Sequence, residues 1–492
     1  MIRLVISRNP LYLCSGPAMA PFFMTRPFSF LTAGLILTSQ VCFSQIVLPS
    51  VFSDHLVLER NTTVAVWGWD DPNDTVFAIG SWAPNDTALG GVTNDGHWRV
   101  DLKTGDAGGP YTLTLVEKHY HGKVVLQDLL LGEVWICSGQ SNMEFTANWG
   151  LDNKQQAIQE ADFPEIRFFH VPRIGAAFPQ QDCRANWVAC SPATMPNNTA
   201  VGYFFARRIH ETLKVPVGII EAAWGGTNGE TWVRAEQVSG DANLQAHFYD
   251  EHSKRWPDRP GDLYNGMISP FIPYGVAGAL WYQGESNTYQ PGAYAVLLDS
   301  LVTGWRRDFG RDFPFYFVQI APYRYDPRYQ KAFLLREQED MAQHLIPNSG
   351  MVSIGDLAGD TNDIHPKDKL DVGERLAAYA LAETYHVPIS AFQNPSYKNI
   401  TVHGNKITVT FDHAEGGLMG KPVNFQVAGA DGKYVDAQAS INGSTVEVWS
   451  PSIKAPLSVR YCFTNSAVPE LFATVGHLPV APFRTDHENY NN

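Results

Sequence analysis

"GEVWICSGQSNMEF", residues 132–145, decides how this chain of 492 residues is read. Its first half is an unbroken apolar run with Val134, Trp135 and Ile136, the residue types of a strand buried on both faces. Its second half turns polar and delivers Ser141 between Gln140 and Asn142. At residues 276–289 a related stretch, "VAGALWYQGESNTY", again runs from an apolar strand into a polar turn, this time with Ser286. Strands that end this way are what open α/β sheets present at their binding edge. The echo is too short to be an internal repeat, so the two serines compete for one role.

Working outward, residues 131–394 alternate short apolar runs ("VPVGIIEAAW", "FPFYFVQIA", "GMVSIGD") with helix-like stretches ("AVGYFFARRIHETL", "DVGERLAAYALAETY"). That alternation predicts an α/β domain with a parallel sheet covered on both faces. Four of its strands end in polar or glycine-rich groups: Ser141, "GGTNGETW" (225–232), "QGESN" (283–287) and "GDTNDIHP" (359–366). Residues 45–130 ("TTVAVWGW", "HWRVDLKT", "YTLTLVEK") and 395–492 ("NITVHGNKITVTFD", "STVEVWS") alternate with period two between turn clusters. They predict an N-terminal β-sandwich module and a second, C-terminal β module.

The first 44 residues carry Arg3, Arg8 and Arg26 and no acidic side chain, and "FLTAGLILTSQVCFS" (30–44) has the length and texture of a signal-peptide core. Met24 is an alternative start, and secreted or periplasmic residence is the expectation. Losing the three arginines would take the net charge from −14 to −17. Such a balance argues against nucleic acid or an anionic membrane surface as a partner. Of the remaining cysteines, the spacing of Cys183 and Cys190 allows a short disulfide loop, whereas Cys137 lies in an apolar run and reads as a buried thiol.

Serine hydrolysis needs a nucleophile, an imidazole base, an orienting carboxylate and donors aimed at the oxyanion. The strand ends supply all four types. The Gly-x-Ser-x-Gly elbow is absent, because Met143 stands two residues after Ser141. "GEVWICSGQSNM", "WGGT", "LYNGMISP", "WYQGESN" and "DIHPKDK…VGERLA" together resemble the sialate O-acetylesterase family of SGNH hydrolases. The flanking "PSVFSDHLVLER…VAVWGW" and "VRYCFTN…LPVAPFRTD" are similar to that family's β modules.

The resemblance implies a flavodoxin-like α/β core between β-sandwich-type modules, and carbohydrate acetylester hydrolysis without metal or organic cofactor. It implies Ser141 as nucleophile, His365 as base with Asp363 as orienting partner, and Gly226, Gly284 and Asn287 around the oxyanion. Ser286 is then a bystander. Asp363 precedes His365 by two residues, where many SGNH hydrolases have three, so Asp356 and Asp360 stay as rivals. Gly225 is the alternative to Gly226. Gln140, Asn265, Gln283, Glu285 and Arg336 are candidate substrate contacts, although "REQE" (336–339) on a helix reads by default as a solvated face. A cation site from Asp356, Asp360, Asp363 and His365 is the less favoured chemistry, since it leaves Ser141 and Asn287 without a role. The substrate expected is an O-acetylated sugar. A sialate would require a cation such as Arg336 or Arg234, whereas a xylan would require a longer aromatic cleft. A non-catalytic glycan-binding protein is the reading from another class.

Overall fold

The computed structural model describes residues 46–119, 121–248 and 256–486. The leader expected over residues 1–44 lies outside them. No helix among the described residues is long and apolar enough to cross a membrane.

The sheet is organised by one long strand, β1 (Lys123–Gly139). Six further strands complete its α/β half: β2 (Phe163–His170), β3 (Trp187–Cys190), β4 (Val217–Ala223), β5 (Gly278–Tyr282), β6 (Phe315–Gln319) and β7 (Ser349–Ser353). Their spatial order is β7-β6-β5-β1-β4-β2-β3, all parallel except the edge hairpin β2–β3. Counting parallel strands in chain order, this is 2-3-1-4-5-6, not the flavodoxin-like 2-1-3-4-5. The difference arises because the chain first travels out to the edge hairpin and then returns to lay β4 beside β1. The covered, doubly wound sheet is as the apolar runs predict.

Residues alternate across β1 between two cores. Val134 and Ile136 join one, with helix α3 (Tyr294–Phe309) and Ala332, Leu335 and Ala342 of α4 (Ala332–Leu345). Trp135 and Cys137 join the other, with α2 (Ala200–Leu213) and α5 (Lys369–Glu383). A fifth helix, the short α1 (Ser141–Glu144), follows β1 directly. Gly373 lets α5 approach α2, since a Cβ there would meet Phe204 Cβ at 2.6 Å.

The first half of β1 belongs to a different neighbourhood. It pairs antiparallel with Gly108–Glu117 and parallel with Val57–Glu59, so one strand runs through both the N-terminal β layer and the α/β sheet. Residues of both regions share one apolar core. The C-terminal segment forms two four-stranded antiparallel sheets with their own core around Val409, Val448 and Tyr461. All four described cysteines are buried free thiols, which corrects the disulfide allowed for Cys183 and Cys190. Cys183 and Cys190 belong to different apolar cores, one on each side of the sheet, and burial pushes both thiols up to about 12.

Trp135 is the largest side chain that β1 buries. Its ring meets Phe205 edge-on at 4.9 Å, and its Nε1 donates to the Tyr385 hydroxyl at 3.0 Å. Trp135→Ala should lower stability by about 3–5 kcal/mol, read as a fall in the thermal unfolding midpoint, with Tyr385→Phe costing much less.

Candidate active site

The site is built at the carboxyl end of β1, where neighbouring strands hold the chain in place. Gly139 closes the strand at φ +134°, and a Cβ there would strike the Tyr282 carbonyl oxygen at 2.2 Å. Glycine alone fits that approach. The Gln140 amide then donates to Tyr282 O, and the Trp224 amide to Gly139 O, each at 3.0 Å. The next residue is Ser141, at the first position of α1.

Ser141 Oγ lies 2.9 Å from His365 Nε2. They are 224 residues apart in sequence and share the wall of one cavity of about 670 Å³. Burial, and then the Lys369 ammonium, hold the His365 imidazole below its ordinary 6.5, against the opposing pull of Asp363. Its ring is therefore neutral, and able to accept a proton, at physiological pH.

The three candidate carboxylates separate cleanly. Asp363 Oδ1 lies 3.6 Å from His365 Nδ1 and accepts the His365 backbone N–H at 3.0 Å. Both oxygens of Asp356 are taken by Arg375, at 2.8 and 2.6 Å. Asp360 is exposed and caps Asn362. The sequence could not show this sorting, because Arg375 arrives from the middle of α5. The same pairing removes Asp356 from the cation site weighed above. Among the described residues, the carboxylates close enough together to share a cation are Asp70, Asp74 and Glu117, in the N-terminal β layer.

The glycine turns also resolve. Gly225 N–H donates to Glu144 Oε2 at 2.9 Å, which leaves Gly226 as the glycine of this turn whose amide makes no bond among the described residues. Gly226 has φ +79° and lines the same cavity as Ser141, next to the Trp256 ring, while Gly225 is the glycine packed against Ser141. Gly284 and Asn287 are placed differently from the expectation. Gly284 packs against Ile320 and Leu335, and its amide points toward Gln140 Oε1 at 3.5 Å. Asn287 is buried behind the cavity wall: its Nδ2 donates to Glu230 at 2.9 Å, and its Oδ1 accepts from Gly229 and Gln283, each at 2.8 Å.

Of the candidate substrate contacts, Gln140 and Glu285 line the cavity, as does Ser286. Gln283 lies one layer deeper, donating to Gln140, Thr227 and Asn287. Asn265 is elsewhere, donating to Ala176 O at 3.1 Å. Arg336 is fully buried and bonded to Thr464 O, with Glu339 beside it. The solvated helix face expected for "REQE" is thus overturned, since Arg336 and Glu339 are 2% and 0% exposed. Arg234 is held by Asp308 at 2.6 Å.

The structure adds residues that no pattern singled out. Arg173 lines the cavity and pairs with Glu144, whose carboxyl burial raises despite that pairing. Trp149, Trp256, Tyr289, Tyr323 and Tyr325 give the cavity aromatic walls. Lys369 is buried behind it. Arg173 and Tyr325 had no local signature: they reach the cavity from loops after β2 and β6.

Comparison with known proteins agrees with this architecture. The family described as carbohydrate esterase, sialic acid-specific acetylesterase, matches residues 131–382. The sialate O-acetylesterase of Mus musculus is 26% identical over 506 residues, covering 88% of this chain and 93% of its own length. That of Homo sapiens is 28% identical over 394 residues, covering 73% and 74%. A solved carbohydrate acetylesterase from Xanthomonas citri superposes with a TM-score of 0.81 at 33% identity, covering 90% of this chain and all of that one. By the span of that match, the chain belongs to the family of sialic acid-specific carbohydrate acetylesterases.

Proposed function

We propose that the chain is an SGNH-type serine esterase that removes O-acetyl groups from sugars, sialates first among them. The observation that carries this reading is the 2.9 Å contact between Ser141 Oγ and His365 Nε2 in the wall of a sugar-sized cavity. Ser141 attacks the acetyl carbonyl while His365 takes its proton; the tetrahedral intermediate collapses, and His365 returns the proton to the departing sugar oxygen. Water then attacks the acetyl-enzyme, with His365 again as base, and releases acetate. Asp363 steers the imidazole, and the Gly226 amide faces the developing oxyanion together with Ser141 N–H, which has no acceptor within its short helix.

Support for a sialate comes from Arg173, the cavity cation, about half exposed and able to turn part of its guanidinium to a substrate carboxylate. A second reading, an acetylated xylan or other neutral plant glycan, is favoured by the aromatic walls and by the neutralisation of Arg173 by Glu144. The leader pattern supports secretion or periplasmic residence. The N- and C-terminal β layers are read as sandwich-type modules that brace the hydrolase domain of residues 131–394.

Three outcomes follow. Ser141→Ala should lower turnover about 10⁴-fold or more with an unchanged melting curve, while Ser286→Ala keeps most activity. The acid limb of kcat/KM should fall below pH 6.5, because the neutral base persists to lower pH when its proton affinity is reduced. Acetate release should be faster from O-acetylated sialic acid than from acetylated xylo-oligosaccharides, and Arg173→Ala should remove that preference. The reverse preference, unaffected by Arg173→Ala, establishes the plant-glycan reading, and silence on both with a folded protein returns the chain to glycan binding.

A further inference from the structure

Lys369 is a cation that the steps above leave without a task. It opens α5, is 0% exposed, and has as its hydrogen-bond partner among the described residues a neutral amide, not a carboxylate. A buried ammonium without such a partner is costly, and it persists only where other groups replace water. Here its Nζ donates to Asn142 Oδ1 at 2.6 Å and lies over the rings of Phe145 and Tyr282, 4.8 and 5.1 Å from their centroids.

Asn142 follows Ser141 in the chain, and its amide is used on both sides. Nδ2 donates to Glu285 Oε1 at 2.6 Å and to Ile364 O, the carbonyl preceding His365, at 3.1 Å. Lysine can only donate, whereas an ionised carboxylate and a carbonyl can only accept. The amide therefore has one workable orientation, with its oxygen toward Lys369. Through that single side chain, the nucleophile turn, the histidine loop and the cavity residue Glu285 are tied together.

We propose that Lys369 is a positioning residue: through the Asn142 amide it fixes the Ser141 turn against the His365 loop. The inference rests on the Ser141–His365 reading. The groups facing Lys369 are Glu285 from the 284–287 turn, Asp363 from the histidine loop, Asp368 at the cap of α5, and the Tyr282 ring from β5. Glu339 lies behind Glu285, and Lys367 approaches Asp363 at 3.9 Å. Burial pulls Lys369 down to about 7, with Glu285 and the two aspartates opposing it. Below that pH the ammonium is charged, and its repulsion helps hold His365 down in the range where the acid limb of activity lies.

The test compares Lys369→Met, Lys369→Gln and Asn142→Ala in the full chain, with pH profiles and thermal melting. Labelling of Ser141 by a phosphonofluoridate, located by mass spectrometry, checks the underlying reading independently: absence of label on wild-type Ser141 sinks that reading and this inference with it, whereas a labelled Ser141 with unaffected lysine variants sinks this inference alone. Lys369→Met should lower kcat about 10- to 100-fold with little change in KM, and move the acid limb of kcat/KM to higher pH. Lys369→Gln, which keeps a donor for Asn142, should recover much of kcat yet retain the shifted limb. A limb that stays at its wild-type position in both variants, or a Lys369→Met enzyme with wild-type kcat, overturns the proposal. Should the lysine variants fail to fold, Asn142→Ala decides: a loss in kcat at constant KM upholds the tie, and wild-type kcat refutes it.

Discussion

The turn from β1 into α1 is held by hydrogen bonds from both sides, and the rest of the site is hung on it. Tyr282, at the end of β5, accepts the Gln140 amide, and Trp224, just past β4, donates to Gly139 O. Those two strands flank β1 in parallel register, with Ile220 and Ala279 both opposite Ile136. Movement of either neighbour would therefore displace Ser141. Because β5 and β4 also lead directly into the 283–287 and 225–232 turns, three of the four polar strand ends are fixed relative to one another before any side chain is considered. This is the geometry expected where the chain order reverses in a doubly wound sheet.

Around that turn stand four buried glutamates, each binding an amide at a strand end. Glu144 takes Gly225 N–H, Glu230 takes the Asn287 side chain, Glu285 takes that of Asn142, and Glu339 takes Ile320 N–H. Burial raises all four carboxyls, with Glu339 shifted furthest. Their common work is structural: acceptors supplied where loops leave a sheet, for backbone donors at Gly225 and Ile320 and for the side-chain amides of Asn287 and Asn142. Arg336, buried near Glu339, belongs to the same scaffold, and the arginine that lines the cavity is Arg173 instead.

Much of this was legible in residue order, and what was not has a physical reason. The apolar runs gave strands and the periodic stretches gave helices, because burial on both faces leaves a compositional mark. Strand adjacency leaves none, so the return of β4 to the side of β1 could not be read. Ser141 and Gln140 stood out because polar residues directly after an apolar strand are unusual, while the roles of Ser141 and His365 came from the resemblance carried by "GQSNM" and "DIHP". Gly284 and Asn287 carried the same mark, yet the structure gives them packing and a Glu230 contact. A polar residue beside a strand end reads alike whether it faces substrate or a neighbouring carboxylate. The pairing of Asp356 with Arg375 and the burial of Lys369 depend on contacts from other elements, which local pattern does not encode.

The segment after residue 460 reaches back across the molecule. Asn465 accepts the Ala332 amide at 2.9 Å and the Tyr323 amide at 3.0 Å, and Thr464 O receives Arg336. The loop carrying Tyr323 and Tyr325, which forms part of the cavity's aromatic wall, is thus latched by residues made more than a hundred positions later. Earlier parts of the chain hold the same loop at other points, Thr361 O accepting the Arg324 amide and Thr288 O the Lys331 amide, so the late residues add a third tie. The C-terminal segment thus contributes directly to the support of one cavity wall, although its own apolar core lies apart from the two that sandwich the sheet.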